Sequence, residues 1–308
     1  MPPIKTLDLS RQFNQVMALN RISLEIKEQE LFALLGPDGA GKTTLCRILS
    51  GIMDPSSGQA WIADLEIQKN AEKIKNFIGY MPQSFALYPD LTVEENINFY
   101  ADLYGVPIPE RKARMERLME ITNLSPFTKR YAGNLSGGMK QKLTLSACLI
   151  HTPKILILDE PTLGVDPVSR REFWKLLYDL LKDGVTILVA TSYMEEAERC
   201  NRLAVLNHGH IIACDTPEGI KKMVPGEILE IETSNLNTAL KTAAKLPQVM
   251  LATTFGNNLR LLIEEKPEVA NSVLTQLSSQ GWEITNHRIL SPSIEDAFIY
   301  LVNQKNDD

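Results

Sequence analysis

Residues Gly36-Pro37-Asp38-Gly39-Ala40-Gly41-Lys42-Thr43 set a glycine, four residues, then Gly-Lys-Thr between an apolar run and a segment of helical periodicity. Glycines let the backbone approach a phosphate closely, successive N–H groups can point at its oxygens, and the following helix adds its positive dipole end. Lys42 then reaches the β- and γ-phosphates and Thr43 offers a hydroxyl to Mg²⁺, with Thr44 beside it at the nucleotide. A second candidate is Asp159-Glu160-Pro161, directly after the apolar run Ile155-Leu156-Ile157-Leu158. A carboxylate ending a buried strand is costly without a partner, and a hydrated Mg²⁺ provides one for Asp159. Glu160 is the neighbouring carboxylate, placed to polarise an attacking water. A third is Leu135-Ser136-Gly137-Gly138-Met139-Lys140-Gln141. Ser136 is a natural N-cap, and a helix start with Gly137 and Gly138 is a second anion site.

These residues need a scaffold that ends buried strands beside one another. Strands are expected near residues 22–26, 31–35, 155–158, 185–190 and 203–206, alternating with helices. That pattern gives an α/β, largely parallel sheet with ligands at the strand C-terminal ends. A charged, periodic stretch over 93–121 reads as two or three helices within a helical insertion at about 84–145, and Thr92 with Glu95 fits a capping box. After about residue 225 the pattern changes. Residues 226–308 read strand (228–232), helix (236–246), strand (249–254), strand (259–263), helix (269–280), strand (282–289) and a short helix from Ile294. This β-α-β-β-α-β order suggests a small ferredoxin-like α+β domain.

The 308 residues suffice for two domains. Four scattered cysteines (Cys46, Cys148, Cys200, Cys214) form no C-x-x-C pair, which points to a reducing compartment. No apolar run approaches the ~20 residues that span a bilayer, and no signal-peptide core follows Met1. The net charge of −6 argues against a nucleic-acid partner. It is concentrated at the C-terminus: 226–308 carries 11 acidic and 6 basic side chains, leaving 27 and 26 in 1–225. Glu94/Glu95 and Glu195/Glu196/Glu198 read as solvated helix faces. His208-Gly209-His210 reads as a hairpin turn and not as a metal site.

Taken together, these motifs resemble the ATP-binding subunits of ABC transporters, over residue 6 to about 225 and on into the C-terminal domain. The resemblance implies a P-loop NTPase fold of ABC type that binds ATP and Mg²⁺ and hydrolyses ATP. It makes Phe13 the aromatic that stacks on adenine, and Gln83 the loop residue that senses the γ-phosphate and Mg²⁺. Asp166 falls in Gly164-Val165-Asp166-Pro167, a loop that crosses to a partner cassette, and Ser136–Gly138 serves nucleotide bound on that partner. Partners would be a second ATP-binding domain, identical or different, and integral membrane permease subunits that hold the chain at the cytoplasmic face of the membrane. The insertion near Phe85, Leu87 and Tyr88 would touch the permease. Tyr88-Pro89-Asp90-Leu91-Thr92-Val93-Glu94-Glu95-Asn96, Tyr193-Met194-Glu195-Glu196-Ala197-Glu198 and Pro292-Ser293-Ile294-Glu295-Asp296-Ala297-Phe298 resemble the branch serving drug, antibiotic and polysaccharide exporters.

One position departs from the family. Ser192, in Thr191-Ser192-Tyr193-Met194, stands where the family has a histidine that orients the water and the catalytic glutamate. A serine hydroxyl is shorter and carries no proton at neutral pH, so turnover should suffer more than binding, by on the order of 10²-fold. Alternatives are a low-turnover or regulatory half of a heteromeric complex, and a soluble family member acting on ribosomes or DNA. The chain lacks the long heptad insertion, second glycine loop and basic stripe that would favour the last. The Ser-Gly-Gly segment argues against a small-molecule kinase.

Overall fold

Leu31–Leu35, Ile155–Asp159 and Thr186–Thr191 are buried at every position. Strands apolar on both faces need cover on both faces, which a parallel sheet flanked by helices gives. The computed structural model, which describes residues 2–233 and 235–304, has that arrangement. Six strands lie in the order His210–Asp215, Arg202–Asn207, Leu31–Leu35, Thr186–Thr191, Ile155–Asp159, Ile78–Met81. The last five pair in parallel with their neighbours. The register sets Asp159 opposite Ala190, so Glu160 and Ser192 leave adjacent strands at the same edge of the sheet.

A second, antiparallel sheet, Val16–Ile26, Ile4–Phe13, Ser57–Ile62, Leu65–Glu66, was not anticipated from the sequence beyond its strand at 22–26. The helix Lys42–Leu49 lies in the same core, its Leu45, Ile48 and Leu49 packed with Ile4, Leu9 and Ile26 of one sheet and Leu34, Ile157 and Leu188 of the other. Each such side chain contributes about 1.5–3 kcal/mol by leaving water. The glycine loop is therefore held from beneath by a helix sealed into the core.

The insertion contains Val93–Leu103, Ile108–Ile121 and Gly137–Leu149. The stretch 93–121 resolves into two helices, and Thr92 and Glu95 form the expected capping box. Leu87 is buried, whereas Tyr88 is exposed and packs edge-on against Phe99 at 4.8 Å. Of the three residues expected to face a partner, Leu87 is thus a core residue, and Phe85 is half-buried beneath the Lys140 ammonium.

The chain divides into two compact units, Met1–Cys214 and Asp215–Asp308. This break precedes the 225/226 boundary read from the sequence, because the short helix Pro217–Lys221 packs on Ile294–Gln304 of the second unit. In that unit Glu227–Thr233, Val249–Phe255, Asn258–Ile263 and Ile284–Leu290 form an antiparallel sheet of spatial order 4-1-3-2, with Leu236–Ala243 and Pro267–Ser279 between successive strands. This is the ferredoxin-like order. The Pro292–Phe298 segment has a visible structural task. Asp296 accepts from Ser293 N at 2.9 Å and Ser293 Oγ at 2.6 Å, and Ser293 Oγ accepts from Asp296 N at 3.2 Å. The same carboxylate meets Arg260, which also donates to the buried Glu230 at 2.8 Å.

Candidate functional site

The glycine loop leaves Leu31–Leu35 and enters Lys42–Leu49 at Gly41, whose φ of 110° favours glycine. A Cβ there would lie 2.4 Å from the Ala18 carbonyl oxygen, so any other residue would push the loop off the strand behind it. Ala40 O accepts from Gly209 N at 3.0 Å, and Gly209 O accepts from Asn20 N at 2.8 Å. The His208-Gly209-His210 turn thus braces the loop, with His210 Nε2 placed 3.2 Å from Asn20 Nδ2.

Lys42 is buried and donates to Gly36 O at 2.8 Å and Pro37 O at 3.1 Å. Its ammonium also stands 3.0 Å from Glu160 Oε1. Thr43 Oγ1 donates to Asp159 Oδ1 at 3.1 Å, which leaves Asp159 Oδ2 buried with no hydrogen-bond partner. Burial raises the Asp159 pKa, and the nearby Glu160 charge adds to that, against the Thr43 hydrogen bond and Lys42. Glu160 follows with φ 50°, a left-handed backbone that a side chain tolerates poorly, held by its N–H donating to Ala190 O at 2.8 Å. Its Oε2 accepts from Ser192 N at 3.2 Å and lies 3.4 Å from Ser192 Oγ.

A cleft of about 310 Å³ brings together residues 37–44, Gln83, Glu160 and Ala18. Gln83, expected from sequence, is therefore at the cleft, and Ala18 is an addition that no sequence signal marked. Gly36 lies beneath, buried, with its carbonyl on Lys42. Phe13 does not line this cleft. It is exposed at the tip of the Ile4–Phe13/Val16–Ile26 hairpin, with the Arg11 guanidinium 4.6 Å from its ring centre.

Ser136, Gly137 and Gly138 also lie outside the cleft lining. Ser136 caps its helix by accepting from Met139 N at 3.3 Å. A Cβ on Gly138 would lie 2.5 Å from Ser169 Cβ, so the helix start is pressed against Pro167–Lys182. Asp166 caps that helix, accepting from Ser169 N at 2.9 Å and Val168 N at 3.1 Å, and the Ser169 N–H lowers its pKa first among several bonds. One expectation is overturned: Glu196 is not solvated but buried at 1% exposure, while Glu195 and Glu198 are exposed.

A profile of the ABC transporter family matches residues 19–163, and one for the C-terminal domain of DrrA1-3-like ATP-binding proteins matches 216–302. The linearmycin resistance ATP-binding protein LnrL of Bacillus subtilis is 32% identical over 302 residues, covering 96% of this chain and 97% of LnrL. The chain belongs to the ABC transporter ATP-binding proteins. The probable multidrug ABC transporter ATP-binding protein YbhF of Escherichia coli is 43% identical to this cassette over 271 residues. That match covers 87% of the cassette but 46% of YbhF, so the cassette spans about half of that relative's length. Among solved structures, the dimeric bacterial ABC transporter cassette MJ0796 superposes with a TM-score of 0.64 at 26% identity, over 69% of this chain and 98% of that one.

Proposed function

We propose that this cassette binds and hydrolyses Mg-ATP between two ATP-binding domains and so energises export through a separate membrane permease. The observation that carries it is that Lys42, Thr43 and Glu160 line one cleft, backed by Asp159 on Thr43 and Ser192 on Glu160, while the Ser136–Gly138 helix start lies outside it. A second anion site that cannot serve its own cleft makes sense when it serves a partner's nucleotide, and the dimeric MJ0796 cassette supports that reading. The donors fit Mg²⁺. The orphaned Asp159 Oδ2 and the Thr43 hydroxyl are hard oxygens, and Gln83 borders the same cleft. One carboxylate and one hydroxyl suit an ion that keeps waters and phosphate oxygens for the rest of its shell. When bound, Mg²⁺ neutralises charge on the β- and γ-phosphate oxygens.

The chain's own residues then divide the work. Gly36–Thr44 cradle the phosphates by backbone N–H groups. Lys42 exchanges Glu160 for the γ-phosphate, which releases Glu160 to accept a proton from water. Ser192 holds the other oxygen of that carboxylate. Phe13 offers a ring face to the adenine opposite the one Arg11 covers. Two cassettes close because each Ser136–Gly138 caps the other's γ-phosphate, and they reopen when hydrolysis removes it.

No helix among the described residues is long and apolar enough to cross a membrane. In this reading a permease holds the cassette on the cytoplasmic face, and the exposed Tyr88–Phe99 pair of the insertion is the surface we assign to it. The cassette's relatives include the linearmycin resistance protein LnrL, the daunorubicin resistance protein DrrA2 and a Nod factor export ATP-binding protein I, which supports export as the direction of transport. Purified chain should turn over Mg-ATP and lose this with Glu160→Gln, which should trap a dimer in light scattering. Binding with neither turnover nor dimer would refute the self-sufficient motor. It would favour a second reading, motivated by Ser192, in which a different cassette completes the working site.

A further inference from the structure

The buried Glu196 carboxylate lies away from the phosphate cleft, yet three donors from three segments converge on it. Thr162 Oγ1 donates to Oε1, Trp174 Nε1 donates to Oε1 at 3.2 Å, and Thr191 Oγ1 donates to Oε2 at 2.6 Å. Thr162 stands two residues beyond Glu160. Thr191 immediately precedes Ser192, and its hydroxyl also accepts from Tyr193 N at 3.0 Å, which shapes the turn presenting Ser192. Trp174, itself buried, belongs to Pro167–Lys182, the helix that Asp166 caps. Around this core the Arg170 guanidinium sits 4.4 Å from the Tyr193 ring centre and that of Arg199 5.9 Å from the Trp174 ring.

A carboxylate at 1% exposure is costly to bury, and two threonine hydroxyls and an indole N–H satisfy it. An apolar side chain of similar size would fill the space more cheaply. What the carboxylate adds is geometry: it fixes the segment leaving Glu160, the segment entering Ser192 and the helix behind the Gly164–Pro167 loop against a single group. The contact between Ser192 and Glu160, at 3.2 and 3.4 Å, is long enough to be lost by a small shift of either segment.

We propose that Glu196 is a positioning residue that sets Glu160 against Ser192 and links both to the Asp166 loop; this rests on the assignment of Glu160 as the group that activates water. Displacements of about 1 Å at such a site cost on the order of 10²-fold in rate. Glutamine at this position keeps the shape but replaces one accepting oxygen by an amide N–H₂, which either faces the donor-only indole or forces a threonine hydroxyl to turn from donating to accepting.

The test uses the full chain. Glu196→Gln should lower kcat on the order of 10²-fold, with KM for Mg-ATP and the affinity for a fluorescent ATP analogue within about twofold. Thr191→Val and Thr162→Val should each lower kcat in wild type and add little in the Glu196→Gln background, because they act through the same carboxylate. A purely structural role predicts losses in kcat, affinity and melting temperature together, and that pattern, or an unchanged kcat, overturns the proposal. If the chain shows no turnover at all, the assigned activity fails separately and the linkage is read by the ¹⁵N-indole resonance of Trp174. Ser192→Ala and Glu160→Gln should each move that resonance in wild type and leave it unmoved in the Glu196→Gln background. A resonance indifferent to both substitutions in wild type overturns the proposal as well.

Discussion

Lys42 is held by Glu160, the residue that the proposed phosphate contact would have to displace. Its ammonium lies 3.0 Å from Glu160 Oε1, with both side chains about 5% exposed. At an effective dielectric of ~20 this pair is worth roughly 5–6 kcal/mol before desolvation. Breaking a buried pair by neutralising one member costs about 3–5 kcal/mol net. Lys42 keeps the Gly36 and Pro37 carbonyls as acceptors, so we take about 2 kcal/mol for Glu160→Gln, below that range. The nucleotide-free chain should lose that stability, lowering its melting temperature by roughly 4–8 °C for a unit of this size. The same 2 kcal/mol no longer opposes transfer of Lys42 to phosphate, so Mg-ATP should bind roughly 30-fold tighter. Turnover should fall by about 10²–10⁴-fold from loss of the base. Thermal melts with and without Mg-ATP, with titration calorimetry on both proteins, separate the three effects. Unchanged free-state stability together with unchanged affinity would refute the competition between Glu160 and phosphate for Lys42, even if turnover vanished.

Ser192→His should raise kcat by about tenfold or more, since a longer imidazole can reach both Glu160 and the phosphate; an unchanged steady-state rate would show that this position does not limit turnover. Gly138→Ala forces a Cβ to within 2.5 Å of Ser169 Cβ, and the overpacking of about 1–3 kcal/mol should displace the helix start. Expected is loss of ATP-dependent dimer in light scattering with ATP binding by monomer retained. His151 stacks on Tyr104 at 3.9 Å and its Nε2 meets Ile78 O at 2.9 Å, and burial, with Arg114 helping, holds its pKa below 6.5. Its contribution to folding stability should therefore be complete above pH 6.5 and fall as the unfolded chain takes up the proton first, a slope that His151→Phe should flatten in melts across that range. Asp296→Ala removes the carboxylate that accepts from Ser293 ahead of its helix and an Arg260 partner, for about 1–3 kcal/mol, and limited proteolysis should then cut preferentially within 215–308.

The phosphate loop, Ser136–Gly138 and Asp159–Glu160 were legible because each is local: a few residues at fixed spacing beside an apolar run. The C-terminal β-α-β-β-α-β order was legible for the same reason, since each period change spans only a few residues. The antiparallel sheet was largely hidden, because its strands come from both sides of the glycine loop and two-residue Leu65–Glu66 carries no periodicity. Glu196 misled because a charge on a short polar helix is ordinarily solvated, and its three donors lie 5 to 34 residues away. Leu87 misled likewise, being an apolar residue in a loop that happens to turn inward. Contact of Ser192 with Glu160 depends on strand order, which puts Thr186–Thr191 beside Ile155–Asp159. Spacing alone does not reveal which strands are neighbours.

The brace from Gly209 to Ala40, with Asn20 behind it, is built entirely from the chain's own backbone groups. A loop braced by its own chain has little ordering to complete when a ligand lands, so arrival should run near the pace of diffusion and tell little about conformational change. Under the proposed function departure is a different matter, timed by withdrawal of a second cassette's Ser136–Gly138. On that proposal the clock of the cycle would sit at Ser136–Gly138, outside the cleft that captures the nucleotide, and substitutions that slow it need never touch the phosphate cradle.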